Sequence, residues 1–240
     1  MSIRIGTSGW NYDGWLGSFY PEGTKQKDLL KTYSTHFKTT EVNNSFYNLP
    51  EVKTAKNWYA QTPKDFVFAV KASRFITHMK KLKVDKDSIK RFFTFADALE
   101  EKLGPILFQL PPRWKANPER LKTFLKALPK SHRYAFELRD QTWLNDEIFE
   151  ILHKHNACHC IYDFKGFESP ENITADFAYL RLHGMHKQAY SGNYSVPRLK
   201  KYAGWIKDWQ KNKLDVFVYF DNDQKAHAPK DAHRLIDLIK

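Results

Sequence analysis

Cysteine is scarce in this 240-residue sequence, which contains only Cys158 and Cys160. Two residues apart on a strand, the two thiols would point to the same face and could not easily form a bridge. No partners at metal-ligand spacing lie near them in the sequence. We therefore expect two buried thiols and neither a disulfide framework nor a cysteine metal site.

Long apolar runs are absent as well. No stretch of about 18 apolar residues occurs, which excludes a transmembrane helix. The first residues, Met1 to Gly6, lead directly into a strand-like pattern and lack the apolar stretch of a signal peptide. These absences predict a cytoplasmic protein with no membrane association.

Known cofactor motifs are also missing. The sequence has no Walker loop, no Gly-x-Gly-x-x-Gly after a strand, no Gly-x-Ser-x-Gly elbow and no His-Glu-x-x-His. Nucleotide cofactors of those types are not indicated, and any cofactor stays unknown. No linker or low-complexity tract interrupts the chain, so we expect one domain covering residues 1–240.

The charge is strongly one-sided. Lys plus Arg number 39 against 27 for Asp plus Glu, a net charge of +12. Such an excess favours an anionic small molecule or nucleic acid as partner. The alternative is a solvated surface, because many lysines fall on predicted helix faces. The sequence does not indicate an oligomeric state.

Short strand patterns alternate with helical patterns along the whole chain. The predicted strands are residues 2–6, 39–43, 66–71, 105–110, 133–139, 158–163, 177–183 and 215–222, and the predicted helices include 25–37, 51–60, 85–103, 146–155, 196–211 and 229–240. This alternation predicts a parallel sheet, and eight units predict closure into a (β/α)8 TIM-type barrel. An open doubly wound sheet is the runner-up. Residues 164–176 are too few for a full crossover, so the sixth helix should be irregular or missing.

Polar residues recur late in the strands and on one phase. Alternate residues of a barrel strand face the interior, and active sites of this fold lie at the carboxyl ends of the strands. Asp221 and Asn222 fall on opposite phases, which leaves their roles open. The alternative to a site is a purely structural network of ion pairs. The late polar residues are Glu41, Asn43, Lys71, Gln109, Glu137, Arg139, Asp163, Arg181 and His183.

Aromatic residues accumulate in the loops that follow these strands. They could stack on bases or sugars beside the cations, although each one singly could instead pack within its loop. The residues in question are Trp10, Tyr47, His186, Tyr190 and Tyr194.

Several motifs resemble those of one known family in the same order. They are Gly6-Thr7-Ser8-Gly9-Trp10, Glu41-Val42-Asn43-Asn44-Ser45-Phe46-Tyr47, Phe68-Ala69-Val70-Lys71-Ala72, Leu107-Phe108-Gln109-Leu110-Pro111-Pro112, Phe136-Glu137-Leu138-Arg139 and Tyr179-Leu180-Arg181-Leu182-His183-Gly184. Together they resemble the YecE-like family, domain of unknown function seventy-two. The resemblance implies an eight-stranded α/β barrel with no assigned biochemical role. Phe220-Asp221-Asn222-Asp223 departs from the two adjacent asparagines that the family tends to have.

The favoured functional hypothesis is an enzyme that acts on a phosphate-bearing substrate. Nucleic acid is one such substrate. If the protein is catalytic, it would be a phosphoester hydrolase. Lys71, Arg139 and Arg181 would bind phosphate oxygens. Glu41, Glu137 and His183 are the candidate catalytic residues, as general acid or base. A metal bound by Glu41, Glu137, Asp163 and His183 is disfavoured by the neighbouring arginines, so no metal site is predicted.

Two other functions stay open. A non-catalytic nucleic-acid or nucleotide-binding protein would need only the positive charge and the aromatic residues. A carbohydrate-active enzyme would use Glu41 and Glu137 as a carboxylate pair, with a separation of about 5–9.5 Å.

Overall fold

A computed structural model of the protein describes residues 1–185 and 190–240. His186, which the sequence analysis singled out, lies outside the described residues. The strands, numbered in chain order, are β1 Ile3–Ser8, β2 Thr39–Val42, β3 Val67–Lys71, β4 Leu103–Leu110, β5 Tyr134–Leu138, β6 Ala157–Phe164, β7 Phe167–Glu168, β8 Phe177–Leu182 and β9 Asp215–Phe220.

The order of the strands closes on itself. They follow one another as β5-β4-β3-β2-β1-β9-β8-β6-β7, and β5 also pairs in parallel with β6. Only the two-residue β7 is antiparallel to its neighbour among the pairings whose register is resolved. The eight remaining strands form the closed parallel barrel of the TIM-type α/β fold, which confirms the predicted fold class and excludes the open sheet.

Helices follow most of the strands, as their apolar spacing predicts. Pro118 at the first turn and the Asn117 side chain, which accepts a hydrogen bond from the Arg120 amide, begin one of them. The helices are α1 Leu29–His36, α2 Asn44–Tyr47, α3 Val52–Gln61, α4 Lys86–Ala96, α5 Pro118–Ala127, α6 Asp146–Lys154, α7 Val196–Lys211 and α8 His227–Ile239.

One helix ends earlier than its sequence pattern predicts. The pattern indicated a helix over 85–103 with Gly104 at its end, but α4 ends at Ala96 and a 3-10 segment follows over Asp97–Lys102. Gly104 lies inside β4, where an added Cβ would come within 2.6 Å of Val67 on β3. The glycine therefore permits close approach of two strands and does not cap the helix.

The missing sixth helix is confirmed. Between β6 and β8, a stretch that the structure describes throughout, the chain makes the short β6–β7 hairpin and contains no helical segment. The two cysteines lie on β6, and both are buried and free.

The chain divides into two compact units. The first unit contains residues 1–41, 161–169 and 177–240, and the second contains residues 42–160 and 170–176. Two of the four boundaries fall inside strands, one in β2 and one in β6. The expectation of one domain over 1–240 stays a prediction.

Within the described ranges, none of the helices combines the length and the apolar character needed to cross a membrane.

Candidate functional site

The first unit contains a buried network centred on Arg181, which has no exposed surface. Its Nη2 donates to Glu41 Oε1 at 2.7 Å and to Asp221 Oδ2 at 2.9 Å. Ser8 Oγ lies 3.1 Å from the same nitrogen and also donates to Glu41 Oε1. Tyr179 donates its hydroxyl to the other oxygen of Glu41 at 2.6 Å. We call these five residues, Ser8, Glu41, Tyr179, Arg181 and Asp221, the Arg181 network.

Strand register explains why these side chains meet. Ser8 on β1 pairs with Glu41 on β2, and Arg181 on β8 pairs with Tyr219 on β9. The Tyr219 hydroxyl lies 2.7 Å from the Thr39 hydroxyl, so Tyr219 faces the same side as the network. Two residues further on, Asp221 continues this phase and reaches Arg181. The structure thereby resolves the ambiguity at the end of the eighth predicted strand.

Asn222 points away from the network. Its Nδ2 donates to the Gly192 carbonyl and to Asp231 Oδ2 on α8, each at 2.9 Å. Asp231 is itself buried and also accepts from the Tyr194 amide. Asn222 therefore connects the end of β9 to the helix that follows it and to the loop before α7.

His183 lies at the edge of the network. Its Nδ1 is 3.0 Å from Asp221 Oδ2, and its ring packs edge-on against Phe164 and Tyr190. The other ring nitrogen, Nε2, lies 3.4 Å from Arg181 Nη1, so the imidazole has a carboxylate on one side and a guanidinium on the other. The His183–Asp221 pair is a candidate for general acid–base chemistry.

A second carboxylate near Asp221, that of Asp223, has a raised pKa. Burial, followed by repulsion from Asp221, raises the pKa of Asp223 to about 6. The Asp223 carbonyl accepts from the Trp15 indole at 3.0 Å. Tyr12 donates its hydroxyl to the Ser8 carbonyl at 2.6 Å, and burial raises the pKa of that hydroxyl above its usual value. The surroundings of Asp221 in the first unit thus contain several carboxylates and buried hydroxyl groups.

The charge balance here differs from the one that the sequence suggested. Arg181, predicted to bind phosphate, already binds two buried carboxylates. Its role in the network is to neutralise and position Glu41 and Asp221, because a buried carboxylate without a cation is costly.

Asp163, expected with the other late polar residues, belongs to a different cluster. Its carboxylate accepts from the Tyr202 hydroxyl at 2.8 Å and lies 3.6 Å from Arg198, both on α7. Burial raises the pKa of Asp163. Glu168 on β7 joins the cluster through Arg198 and Lys201. This cluster ties the short β6–β7 hairpin to α7.

The second unit contains a group of charged side chains in which cations outnumber carboxylates. Lys71 ends β3 and is 8% exposed, with its ammonium 4.4 Å from the centre of the Phe46 ring. Glu137 on β5 is fully buried and accepts from Arg139 Nε. His78 stacks edge-on against Phe46 at 5.0 Å. We call Lys71, His78, Glu137 and Arg139 the cationic cluster.

The pKa of His78 indicates the sign of the electrostatic potential in the cationic cluster. Burial, followed by repulsion from Lys71, Arg74 and Arg139, lowers the pKa of His78 to about 4, and Glu137 opposes this with a smaller effect. Three cations and one carboxylate therefore lie within electrostatic range of this ring. The region is positive even with Glu137 present.

The other predicted binding residues occupy varied positions. Gln109 pairs in register with Glu137 and is nearly buried, and Asn43 directly follows β2 and is half-buried. Tyr47 and Tyr190 are exposed, and Trp10 is half-buried. Tyr194, expected as an exposed loop aromatic, is instead fully buried against Tyr202 and Phe220, so it offers no stacking surface.

Sequence reasoning missed three contributors. Ser8 was placed in a loop because the first strand was predicted to end at Gly6, whereas β1 continues to Ser8. His78 lies on a π-helical turn, Phe75–Met79, that has no simple periodic signal. Asp223 lies three residues after the end of β9, and its partial burial could not be anticipated from its position.

Within residues 1–185 and 190–240, no group of three or more His, Cys, Asp or Glu side chains is placed to hold a metal ion.

Gly184 shapes the chain directly after His183 and provides a test of this geometry. Its φ is +96°, and an added Cβ would lie 2.2 Å from the Ser191 carbonyl oxygen. We expect Gly184→Ala to destabilise the protein by about 2–3 kcal/mol, from backbone strain and a backbone clash together. Urea denaturation measures the change. Gly166→Ala, at φ +81° in open space, is the matched control and should cost only about 1 kcal/mol. Equal losses in the two variants would contradict the proposed clash.

Comparisons with known proteins agree with this architecture. The family described as "Protein of unknown function DUF72" matches residues 4–240. The UPF0759 protein YunF of Bacillus subtilis is 25% identical over 273 aligned positions, which cover 99% of this chain and 94% of that protein.

Two crystal structures show the same fold. A DUF72 family protein from Thermotoga maritima superposes with a TM-score of 0.89 at 26% identity, over 100% of this chain and 99% of that one. One from Enterococcus faecalis gives a TM-score of 0.83 at 17% identity, over 99% and 95% of the two chains. Since the family match spans nearly the whole sequence and agrees with the motifs, this protein belongs to the DUF72 family.

Proposed function

We propose that the protein is an enzyme acting on a phosphate-bearing substrate, and that the cationic cluster of the second unit binds the phosphate. The observation that carries the proposal is the charge balance of that cluster. Lys71 and the Arg139 side chain are each only 8% exposed, and Glu137 is the carboxylate paired with Arg139. A net positive charge held away from water favours an anionic ligand.

The chemistry of the two cations suits phosphate. A guanidinium presents five N–H donors in a fixed fork, and Glu137 is bound through Nε. An ammonium adds a compact charge that binds phosphate as a point contact. The two side chains come from the ends of β3 and β5, where ligand-binding groups of this fold lie.

The same cluster supplies a candidate for proton transfer. Glu137 is the carboxylate held beside these cations, and it is our proposed general acid or base. In this proposal Arg181 has a positioning role, and the His183–Asp221 pair of the first unit is a separate acid–base candidate.

Phosphate binding has a direct spectroscopic reporter in His78. We expect inorganic phosphate to raise the pKa of His78 from about 4 toward its ordinary value of 6.5, because a bound anion offsets Lys71, Arg74 and Arg139. Lys71→Met should raise it without phosphate and weaken the response to phosphate. NMR titration of the imidazole C–H signals, with and without phosphate, measures both effects.

The control is another histidine with a lowered pKa. His233 in the first unit is perturbed by burial and by His36, and phosphate should leave its titration unchanged. A response of equal size at His78 and His233 would indicate a general ionic effect. No response at His78 at saturating phosphate would overturn phosphate binding at this cluster.

A further inference from the structure

A cavity beside the cationic cluster carries an inference about the class of substrate. We propose that this cavity binds the base of a nucleotide whose phosphate contacts Lys71 and Arg139. The inference rests on the proposed function and adds the part of the substrate that the cations cannot recognise.

The cavity has a volume of about 320 Å³ and aromatic walls. Tyr47, at the end of α2, is 67% exposed, and Phe75 begins the π-helical turn and is half-buried. Exposed aromatic faces favour flat ligands, because bases stack on them whatever their sequence. The volume lies at the lower end of the range for small-molecule sites, which suits one base and not a long polymer segment.

Polar groups line the same space. Ser73, Ser88 and Asn48 offer hydroxyl and amide groups, and Arg91 on α4 adds an exposed guanidinium. A few polar groups among aromatic walls are typical of sites that fix the edge of a planar ligand. A guanidinium can also stack on a base.

One residue joins the cavity to the cationic cluster. The centre of the Phe46 ring lies 4.4 Å from Lys71 Nζ and 5.0 Å from the centre of the Tyr47 ring. Ser45, one residue earlier, donates its hydroxyl to the Lys71 carbonyl at 2.7 Å. On the other wall, Phe75 and His78 belong to the same five-residue turn. The two sets of groups therefore share α2 and the π-helical turn, as needed for one ligand to contact both.

This arrangement favours a nucleotide over a sugar phosphate. A sugar phosphate would satisfy the cations and leave the faces of Tyr47 and Phe75 in water. A base that stacks on an aromatic side chain typically gains about 1–3 kcal/mol, or about 5- to 150-fold in affinity. Stacking on the aromatic walls therefore determines how much more tightly a nucleotide should bind than a sugar phosphate.

The test compares ligands that share the phosphate and differ in the base. Binding of adenosine 5′-monophosphate, ribose 5-phosphate and a five-residue oligodeoxyadenylate is measured by calorimetry on the full chain. We expect adenosine monophosphate to bind at least about tenfold more tightly than ribose 5-phosphate. Tyr47→Ala and Phe75→Leu should reduce that ratio and leave ribose 5-phosphate binding unchanged. Trp205→Ala, which removes a half-buried aromatic side chain of α7 in the first unit, should not alter the ratio.

The outcomes separate the inference from the proposed function. Equal affinity for the two monophosphates, or a preference that persists in both cavity variants, would overturn base binding while phosphate binding stands. Failure of all three ligands to bind would overturn both. Tighter binding of the oligonucleotide would support the inference and identify a nucleic-acid strand as the source of the nucleotide. Equal binding of oligonucleotide and monophosphate would support it and identify a free nucleotide.

Discussion

Arg181→Met is expected to destabilise the folded protein by about 3–5 kcal/mol. The substitution keeps an apolar chain of similar reach but leaves Glu41 and Asp221 without the guanidinium that both contact. Glu41 has no exposed surface, so water cannot replace the lost donor without a rearrangement. The free energy of unfolding from urea denaturation measures the effect, provided that the slope of the transition is unchanged.

Two variants make this prediction specific. Lys207→Met removes an exposed cation from α7 and should change stability by no more than about 0.5 kcal/mol. Adding Glu41→Gln and Asp221→Asn to Arg181→Met should recover much of the loss, because no buried charge is then left unpaired. A loss below about 1 kcal/mol for Arg181→Met alone would contradict the network as described.

The barrel was predictable because its signals are periodic. Each of the eight parallel strands coincides with a predicted one, and the short segment after β6 correctly predicted the missing helix. The inward phase of Glu41 and Arg181 also followed from alternation along their strands. The strand ends were less reliable, because they depend on pairing with neighbours. Ser8 was missed for this reason.

The division of the polar residues among clusters could not be derived from the sequence. Alternation places Asp163 in phase with Ile161, yet its carboxylate binds Tyr202 and Arg198 on α7. Asp163 itself pairs with Glu168 in the antiparallel β6–β7 hairpin, a pairing that the alternation along β6 does not predict. Likewise, the burial of Tyr194 depends on its packing against α7 and β9, which no local pattern records.

The division also changes the functional argument. The sequence suggested one pool of cations for phosphate, namely Lys71, Arg139 and Arg181. In the structure, Arg181 is matched by two carboxylates in its unit, whereas in the other unit Arg139 pairs with Glu137 and Lys71 lies over the Phe46 ring. Counting charges along the chain cannot reveal this, because the interaction of two charges depends on their distance in the folded structure and not on their separation in the sequence. The phosphate proposal consequently concerns the second unit.

Glu137→Gln is expected to lower turnover of a phosphate-bearing substrate by about 10²- to 10⁴-fold while ligand binding persists. The amide keeps the size of the side chain, and its oxygen can still accept from Arg139 Nε. It cannot take up or release a proton in the reaction, so the loss should appear in kcat and not in KM. Release of inorganic phosphate from p-nitrophenyl phosphate and adenosine monophosphate, together with cleavage of the phosphodiester bonds of the oligonucleotide, measures turnover. Calorimetry measures binding.

The control for this variant is Glu147→Gln, which removes an exposed carboxylate of α6 in the same unit and should leave both quantities unchanged. Unchanged turnover in Glu137→Gln would remove Glu137 as the acid or base and leave it the role of positioning Arg139. If the wild-type protein binds these ligands but neither releases phosphate from the two monoesters nor cleaves the oligonucleotide, the result favours a non-catalytic nucleotide-binding protein. In that case binding should also weaken steeply with salt, because the contacts to phosphate are ionic. The charge balance of the cationic cluster predicts binding under either outcome. The turnover of the wild-type protein separates catalysis from binding, and the Glu137 variant tests which residue transfers the proton.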